Sequence, residues 1–178
     1  MLGLGNSIAN GSPPDRINST DFYSFESATS PWEASSVQGT LTLQAGQTAP
    51  GSSDSNWMKG TFDTTQDDGS ANIQITNWRT GEATSSHNVN ISFEMHLVND
   101  SGKWDPEGDS DDVTVRCVKG GRQYSQSIAL DTNVHIAGTI LPVSTSGHLL
   151  IQFATADDMP QAGAVFYIRN ITVEIEDR

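Results

Sequence analysis

Four tryptophans could do binding chemistry, because the C–H faces of a sugar ring pack well on an aromatic face. Trp78 and Trp104 fall in predicted loops among polar residues such as Arg79, and both are therefore candidate glycan contacts. Trp32 and Trp57 lie near predicted strand edges, where burial is expected. Tryptophan is buried on average, so the alternative is that all four rings close the ends of the fold.

A second group of candidates is a run of carboxylates in one predicted loop. These residues are Asp105, Glu107, Asp109, Asp111 and Asp112. Alternate carboxylates can wrap a hard cation such as calcium, but an EF-hand loop needs glycine where Ser110 stands and glutamate where Arg116 stands. We therefore expect a solvated acidic loop with weak candidate metal ligands, and no bound cofactor.

No residue pattern indicates catalysis. Cys117 alternates with Val113 and Val115, which favours a buried and inert thiol. The four histidines have no metal-ligand spacing, and the sequence lacks a nucleophile elbow, a P-loop and a dinucleotide fingerprint. A pair of glycosidase carboxylates would converge from distant strands and leave no local motif. The expectation is a non-enzymatic protein.

Composition excludes several classes of partner. The 178 residues carry 22 acidic and 9 basic side chains, a formal charge of −13. A field of that sign repels phosphate backbones, so no nucleic acid is expected. No run of 18 apolar residues occurs, so no membrane insertion is expected. A single cysteine excludes an intramolecular disulfide and any metal motif built on cysteine pairs.

From Asp21 onward the dominant apolar period is two, which is typical of strands with one buried face. The clearest strand is 88–99, with Val89, Ile91, Phe93, Met95 and Leu97 on one face. Further strands are predicted over 40–45, 71–76, 112–118, 134–140, 149–153 and 165–176. In the last of these, Val165, Tyr167, Ile171, Val173 and Ile175 are expected to share a face that Arg169 interrupts.

Turn residues separate these strands, and Gly120-Gly121 predicts a tight hairpin. No window shows helical periodicity. Long loops are expected over 46–56, 76–87 and 100–111. Strands at this spacing predict an all-β, jelly-roll β-sandwich of two antiparallel sheets, with an extended N-terminal arm.

The arm and linker are assigned to residues 1–19, and the sandwich domain to residues 20–178. The arm places large apolar side chains between small residues, and turn chemistry around Pro13 follows. Small residues allow a backbone to approach another surface closely, while the large side chains fill it. The predicted docking residues are Leu2, Gly3, Leu4, Gly5 and Ile8.

Three stretches together resemble the jelly roll of carbohydrate-binding modules. They are 21–27 with Pro31-Trp32, 135–140 with 147–153, and 166–173. In that family, a glutamate in the opening and an aspartate in the last strand often help hold a structural calcium. Glu26 matches the first, whereas Arg169 replaces the second, which makes calcium doubtful. The resemblance therefore suggests that an Arg169–Glu26 ion pair replaces the calcium in joining the opening segment to the last strand.

The start Leu2-Gly3-Leu4-Gly5-Asn6-Ser7 is similar to the first residues of many tailed-phage structural proteins. That resemblance implies a non-enzymatic virion protein, assembled in the host cytoplasm, whose arm anchors an outward-facing jelly roll to capsid or tail as a cement, decoration or appendage. Its partners would be other virion proteins and copies of itself, with a trimer as one option, and a cell-surface glycan. The alternatives are a stand-alone carbohydrate-binding module and, third, a glycoside hydrolase or lyase.

Overall fold

The computed structural model describes residues 19–35, 40–65, 72–83, 85–100, 102–104, 112–154 and 160–178. These residues form eleven strands and no helix. The strands are β1 (Ser19–Tyr23), β2 (Glu33–Ser35), β3 (Leu41–Gln47), β4 (Trp57–Phe62), β5 (Asn72–Ile75), β6 (His87–Val98), β7 (Asp112–Lys119), β8 (Arg122–Ala129), β9 (Asn133–Ile140), β10 (Leu149–Ala154) and β11 (Val165–Asp177). The described part of the chain has no helical segment of the length and hydropathy needed to span a bilayer.

The strands form two antiparallel sheets that pack face to face. The six-stranded sheet has the order β3-β4-β11-β6-β9, with β1 added on β11, and the five-stranded sheet has the order β2-β5-β10-β7-β8. β6 pairs along nearly all of one edge of β11. On the opposite edge of β11, β4 pairs with the first part of the strand and β1 pairs with the second part. This is the predicted jelly-roll sandwich.

Alternating side chains build the core, as the apolar period predicts. The five apolar residues of β6 from Val89 to Leu97 are buried, and Ile73 and Ile75 of the other sheet belong to the same core. A ring cluster of Phe62, Phe153 and Phe166 fills one end, with ring centroids 4.5–5.9 Å apart. The predicted hairpin is also present, since Gly120 and Gly121 both adopt positive φ between β7 and β8.

The expected single apolar face of the last strand is wrong in its first half. Phe166 and Ile168 point into the core, not Val165 and Tyr167. The pairing of β11 with β6 shifts register between Arg169 and Thr172, and Asn170 there has φ of 52°. This β-bulge inserts one residue into β11. The core-facing side chains are therefore at even-numbered positions before the bulge and at odd-numbered positions after it.

The predicted arm residues Leu2, Gly3, Leu4, Gly5 and Ile8 lie outside the described residues. So do the acidic loop residues Asp105, Glu107, Asp109 and Asp111, while Asp112 is described only by its backbone in β7. The first described strand begins at Ser19, one residue before the predicted domain boundary.

Candidate functional site

Neither predicted glycan-contacting tryptophan offers a ring to solvent. Trp104 is fully buried beside Phe62, and its indole N–H donates to the Val98 carbonyl at 3.1 Å. Trp78 is 6% exposed, and its N–H donates to Asp21 at 3.1 Å. Both rings belong to the core cluster, so the expected stacking of sugars on them is not available in this structure. A predicted loop position did not imply exposure here, because both indole rings pack into the core cluster.

Trp57 is also fully buried, but it lies outside the main core cluster. The Arg169 guanidinium lies over its ring, 4.4 Å from the centroid. The ring N–H donates to the Ser52 hydroxyl at 3.1 Å. Trp57 therefore forms a separate packed site under the segment that connects β3 and β4.

Arg169 does not pair with Glu26, contrary to the expectation from the sequence. Its guanidinium donates to Glu94 at 2.7 and 2.9 Å and to Asp54 at 2.6 Å, whereas Glu26 is exposed. Burial alone would lower the pKa of Arg169, but its bonds to Asp54 and Glu94 outweigh burial and raise it. The bulge explains the partner, because it places Arg169 beside Glu94 of the adjacent strand.

Two other polar groups, Cys117 and Lys119, are buried inside the fold and not displayed on its surface. Cys117 is buried in β7, and burial raises the pKa of its thiol to about 12, so the thiol stays protonated. Lys119 is also fully buried, and its ammonium donates to the carbonyls of Thr145 at 3.1 Å and Gly147 at 2.9 Å. Burial lowers the pKa of Lys119. Among the described residues, no cluster of three or more His, Cys, Asp or Glu side chains could hold a metal ion.

Among the described residues, the outer face of the six-stranded sheet has a surface shaped to bind a ligand. A cavity of about 450 Å³ lies over β11, β6 and β9. We call it the polar trough. It is lined by the outward side chains Asn90, Ser92, Ala137, Thr139, Thr172 and Glu174.

Strand register explains how residues distant in sequence meet in the polar trough. Thr172 pairs with Ser92, which pairs with Ala137 in the next strand. One step along the strands, Glu174 pairs with Asn90, which pairs with Thr139. Outward residues of adjacent strands stand side by side, so these two rows form a continuous floor of small and polar groups.

An exposed aromatic residue borders this floor. Phe22 of β1 pairs with Thr172 and is 61% exposed. The row from Phe22 to Ala137 crosses four strands, which is about 14 Å at an interstrand spacing of about 4.8 Å. Phe22 therefore flanks the polar trough on the side opposite to β9.

Part of the polar trough is already organised by hydrogen bonds, and part of it has free capacity. Thr139 donates to the Asn90 side-chain oxygen at 2.7 Å, and Asn90 donates to Glu176 at 2.8 Å. The side chains of Ser92, Thr172 and Glu174 form no hydrogen bond or ion pair within the part of the chain that the structure describes. They can exchange hydrogen bonds with a ligand without first breaking internal ones.

Sequence reasoning identified the polar faces of these strands but not the site. Asn90 and Ser92 alternate with the apolar residues of the predicted strand 88–99 and so belong to its polar face, while Phe22 only formed part of an opening motif. The missing information was which strands are neighbours, since the trough and the bordering Phe22 combine residues from 22 to 174 in one patch. No signal in the sequence placed Phe22 beside the hydroxyl-bearing residues of the other strands.

Comparison with solved structures supports the fold assignment. The CBM22-1 xylan-binding domain from Paenibacillus barcinonensis Xyn10C aligns with a TM-score of 0.57 at 14% identity, over 90% of this chain and 97% of that domain. A xylan-binding domain from CBM 22 aligns with a TM-score of 0.55 at 16% identity, over 86% and 94%. At these identities the likeness establishes a carbohydrate-binding-module jelly roll as the fold.

One solved enzyme is similar over a limited part of its length. The arabinose-bound α-L-arabinofuranosidase MgGH51 aligns with a TM-score of 0.55 at 15% identity, over 86% of this chain but only 24% of the enzyme. No protein-family model and no curated protein matches the sequence.

Proposed function

We propose that this chain is a non-catalytic carbohydrate-binding module whose ligand lies in the polar trough. The observation that carries the proposal is the meeting of an exposed aromatic ring, Phe22, with free hydroxyl and carboxylate groups across one sheet face. A sugar ring offers an apolar C–H face for the ring and hydroxyls for hydrogen bonds. The jelly roll of carbohydrate-binding modules supports the same proposal by analogy of fold.

The arrangement of carboxylates favours binding over hydrolysis. Glycosidases use two carboxyl groups that flank the scissile bond. Among the described residues that line the polar trough, Glu174 is the only carboxylate. The neighbouring Glu176, on the same face of the same strand, accepts a hydrogen bond from Asn90 at 2.8 Å. The described part of the trough therefore offers one carboxylate without an internal hydrogen bond, not two.

The test is a glycan array followed by calorimetry with the best ligand, with xylan-derived oligosaccharides included because xylan is named for similar domains. Phe22→Ala should weaken binding at least tenfold, and Phe22→Trp should retain it, because the stacking face is kept. Ser125→Ala, on the outer face of the other sheet, is the control and should bind normally.

Two results would refute this function. One is the absence of any glycan ligand on the array. The other is binding that survives both Phe22→Ala and Glu174→Gln in folded protein. Release of reducing sugar from the ligand by the wild-type chain would favour the enzyme alternative instead.

The virion setting stays a prediction, because it depends on arm residues outside the described part of the chain. Deleting residues 2–12 would test it in a phage that encodes this chain. The prediction is that the truncated protein still folds and binds glycan but is missing from purified particles. A glycan-binding domain on an outward-facing virion protein would be consistent with both proposals.

A further inference from the structure

Next to the polar trough lies a second cavity of about 440 Å³, which has a different chemistry. We call it the arginine end. It is lined by Arg122, Gln123, Thr139, Leu141, Val143 and Arg178. Thr139 lines both cavities, so the two are adjoining parts of one surface. A ligand that runs along the polar trough towards β9 therefore arrives at two arginines.

These two arginines share one cavity and have no carboxylate partners among the described residues. Arg79 and Arg169 each bind two carboxylates, as expected in a protein with 22 acidic residues. Arg122 and Arg178 form no ion pair within the described residues. Each is exposed, and their charge is therefore available to a ligand.

Arg178 is also held in position. Its Nε donates to the Asn88 side-chain oxygen at 3.1 Å, and its backbone N–H donates to the Ser86 carbonyl at 2.9 Å. A guanidinium with its remaining donors directed outward can bind a carboxylate or a sulfate through two parallel hydrogen bonds. Holding one arginine in place reduces the entropy cost of that contact.

The same cavity has two exposed apolar side chains. Leu141 is 49% exposed and Val143 is 54% exposed, and Val143 adjoins the Gly120-Gly121 turn. Apolar contact beside a pair of cations suits a ring that has C–H groups and an acidic substituent. A small inorganic anion would use the arginines but leave these two side chains exposed.

We propose that the ligand is an acidic saccharide whose anionic group is bound by Arg122 and Arg178 while its neutral sugars occupy the polar trough. This inference rests on the proposed function and specifies its substrate class. Glu174 stands two strands from Thr139, about 10 Å away, so it is placed for neutral hydroxyls and not for the anionic group. The formal charge of −13 opposes anionic ligands in general, which makes the local arginine pair decisive.

The experiment compares oligosaccharides that carry one uronate among neutral sugars, such as those from glucuronoxylan and gum arabic, with their carboxyl-reduced forms. Reduction removes the charge and keeps the chain. We expect wild-type protein to bind the better of the acidic ligands at least tenfold more tightly than its reduced form. The double variant Arg122→Gln/Arg178→Gln should remove this preference and leave the affinity for the reduced form unchanged.

The matched control is Arg116→Gln on the outer face of the five-stranded sheet. Arg116 likewise has no carboxylate partner among the described residues, and its replacement removes one positive charge at another place, the same change as Arg122→Gln or Arg178→Gln alone, with which it is compared. It should keep the preference for the acidic ligand. Thermal unfolding of each variant verifies folding.

Each remaining outcome is decisive. Equal binding of acidic and reduced ligands would overturn the acidic saccharide while leaving the proposed function intact. Equal loss in Arg116→Gln would also overturn it, since general charge would then explain the preference.

Competition by polyglutamate as strong as that by the saccharide would show a site for acidic peptides. Absence of binding to any glycan would overturn this inference and the proposed function together. A sulfated oligosaccharide tests whether the anionic group is a sulfate, and selective binding of it through the arginines would support the proposal.

Discussion

Arg169 joins three parts of the molecule through a single side chain. It lies on β11, binds Glu94 of β6, and binds Asp54 in the segment before β4, while its planar face covers Trp57. A second bond to Glu94 comes from Asn170 at 3.2 Å. Most of the Arg169 side chain is shielded from water, at 17% exposure, so these contacts are less screened than those of a surface pair.

Replacing Arg169 by alanine should destabilise the fold by about 2 kcal/mol, because Glu94 loses its cation and Trp57 loses its cover. Urea unfolding monitored by tryptophan fluorescence measures this change. Asp54→Asn should cost less, since Asp54 is 58% exposed. An unchanged unfolding midpoint in Arg169→Ala would show that the cluster contributes nothing to stability.

Lys119 predicts a pH effect whose sign follows from its lowered pKa. In the unfolded chain, Lys119 keeps its proton at any pH below its ordinary pKa of 10.5. In the folded protein, the buried ammonium loses its proton at a lower pH. Between the lowered folded-state pKa and 10.5, the unfolded state binds more protons, so stability rises with pH. Below this window, the full cost of the buried charge is present.

The measurement compares wild type with Lys119→Met, which keeps similar volume and does not titrate. Other groups titrate alike in both proteins and cancel in the difference. The stability of wild type relative to Lys119→Met should therefore increase as the pH is raised from neutral towards 10.5. A constant difference across that range would contradict the assigned pKa direction.

At the scale of elements, β8 and β9 close one side of the sandwich although they belong to different sheets. Tyr124 of β8 packs on Gly138 of β9, where a Cβ atom would lie 2.3 Å from the ring. The Tyr124 hydroxyl donates to Gln126 at 3.0 Å. The absence of a side chain at Gly138 therefore allows the two sheets to meet at this edge.

Gly138→Ala should destabilise the protein by about 2 kcal/mol, because the ring must move to admit the new methyl group. Denaturant unfolding measures the cost. The cost should fall in a Tyr124→Ala background, where the ring is absent, and this double-mutant cycle isolates the contact. Equal costs in both backgrounds would show that the glycine is needed for another reason.

The elements also show what the sequence could predict and what it could not. Period-two patterns correctly assigned the buried faces of β6, β5 and β10, because those strands are regular. The pattern of β11 was wrong in its first half, since one inserted residue at Asn170 reverses the parity and leaves the composition unchanged. Asparagine is among the residues that best tolerate positive φ, so it was a weak signal of the bulge.

At the scale of the whole molecule, the candidate site depends on strand order, which periodicity does not report. Phe22, Asn90, Thr139 and Thr172 come from four strands that are far apart in the chain and adjacent in one sheet. The tryptophans show a second limit of reasoning from sequence, because burial cannot be read from residue type and position alone. Residue type and loop position suggested a binding role, but packing placed all four rings inside, where they stabilise the fold.

The position of β11 has a consequence for synthesis of the protein. This strand is the last of the eleven to be synthesised, yet it lies in the middle of its sheet and pairs with β6, β4 and β1. Until β11 has been synthesised, β1 lacks its partner strand and the six-stranded sheet lacks an interior member. Loss of β11, by a premature stop or by proteolysis, would therefore remove central pairing and expose core side chains to aggregation.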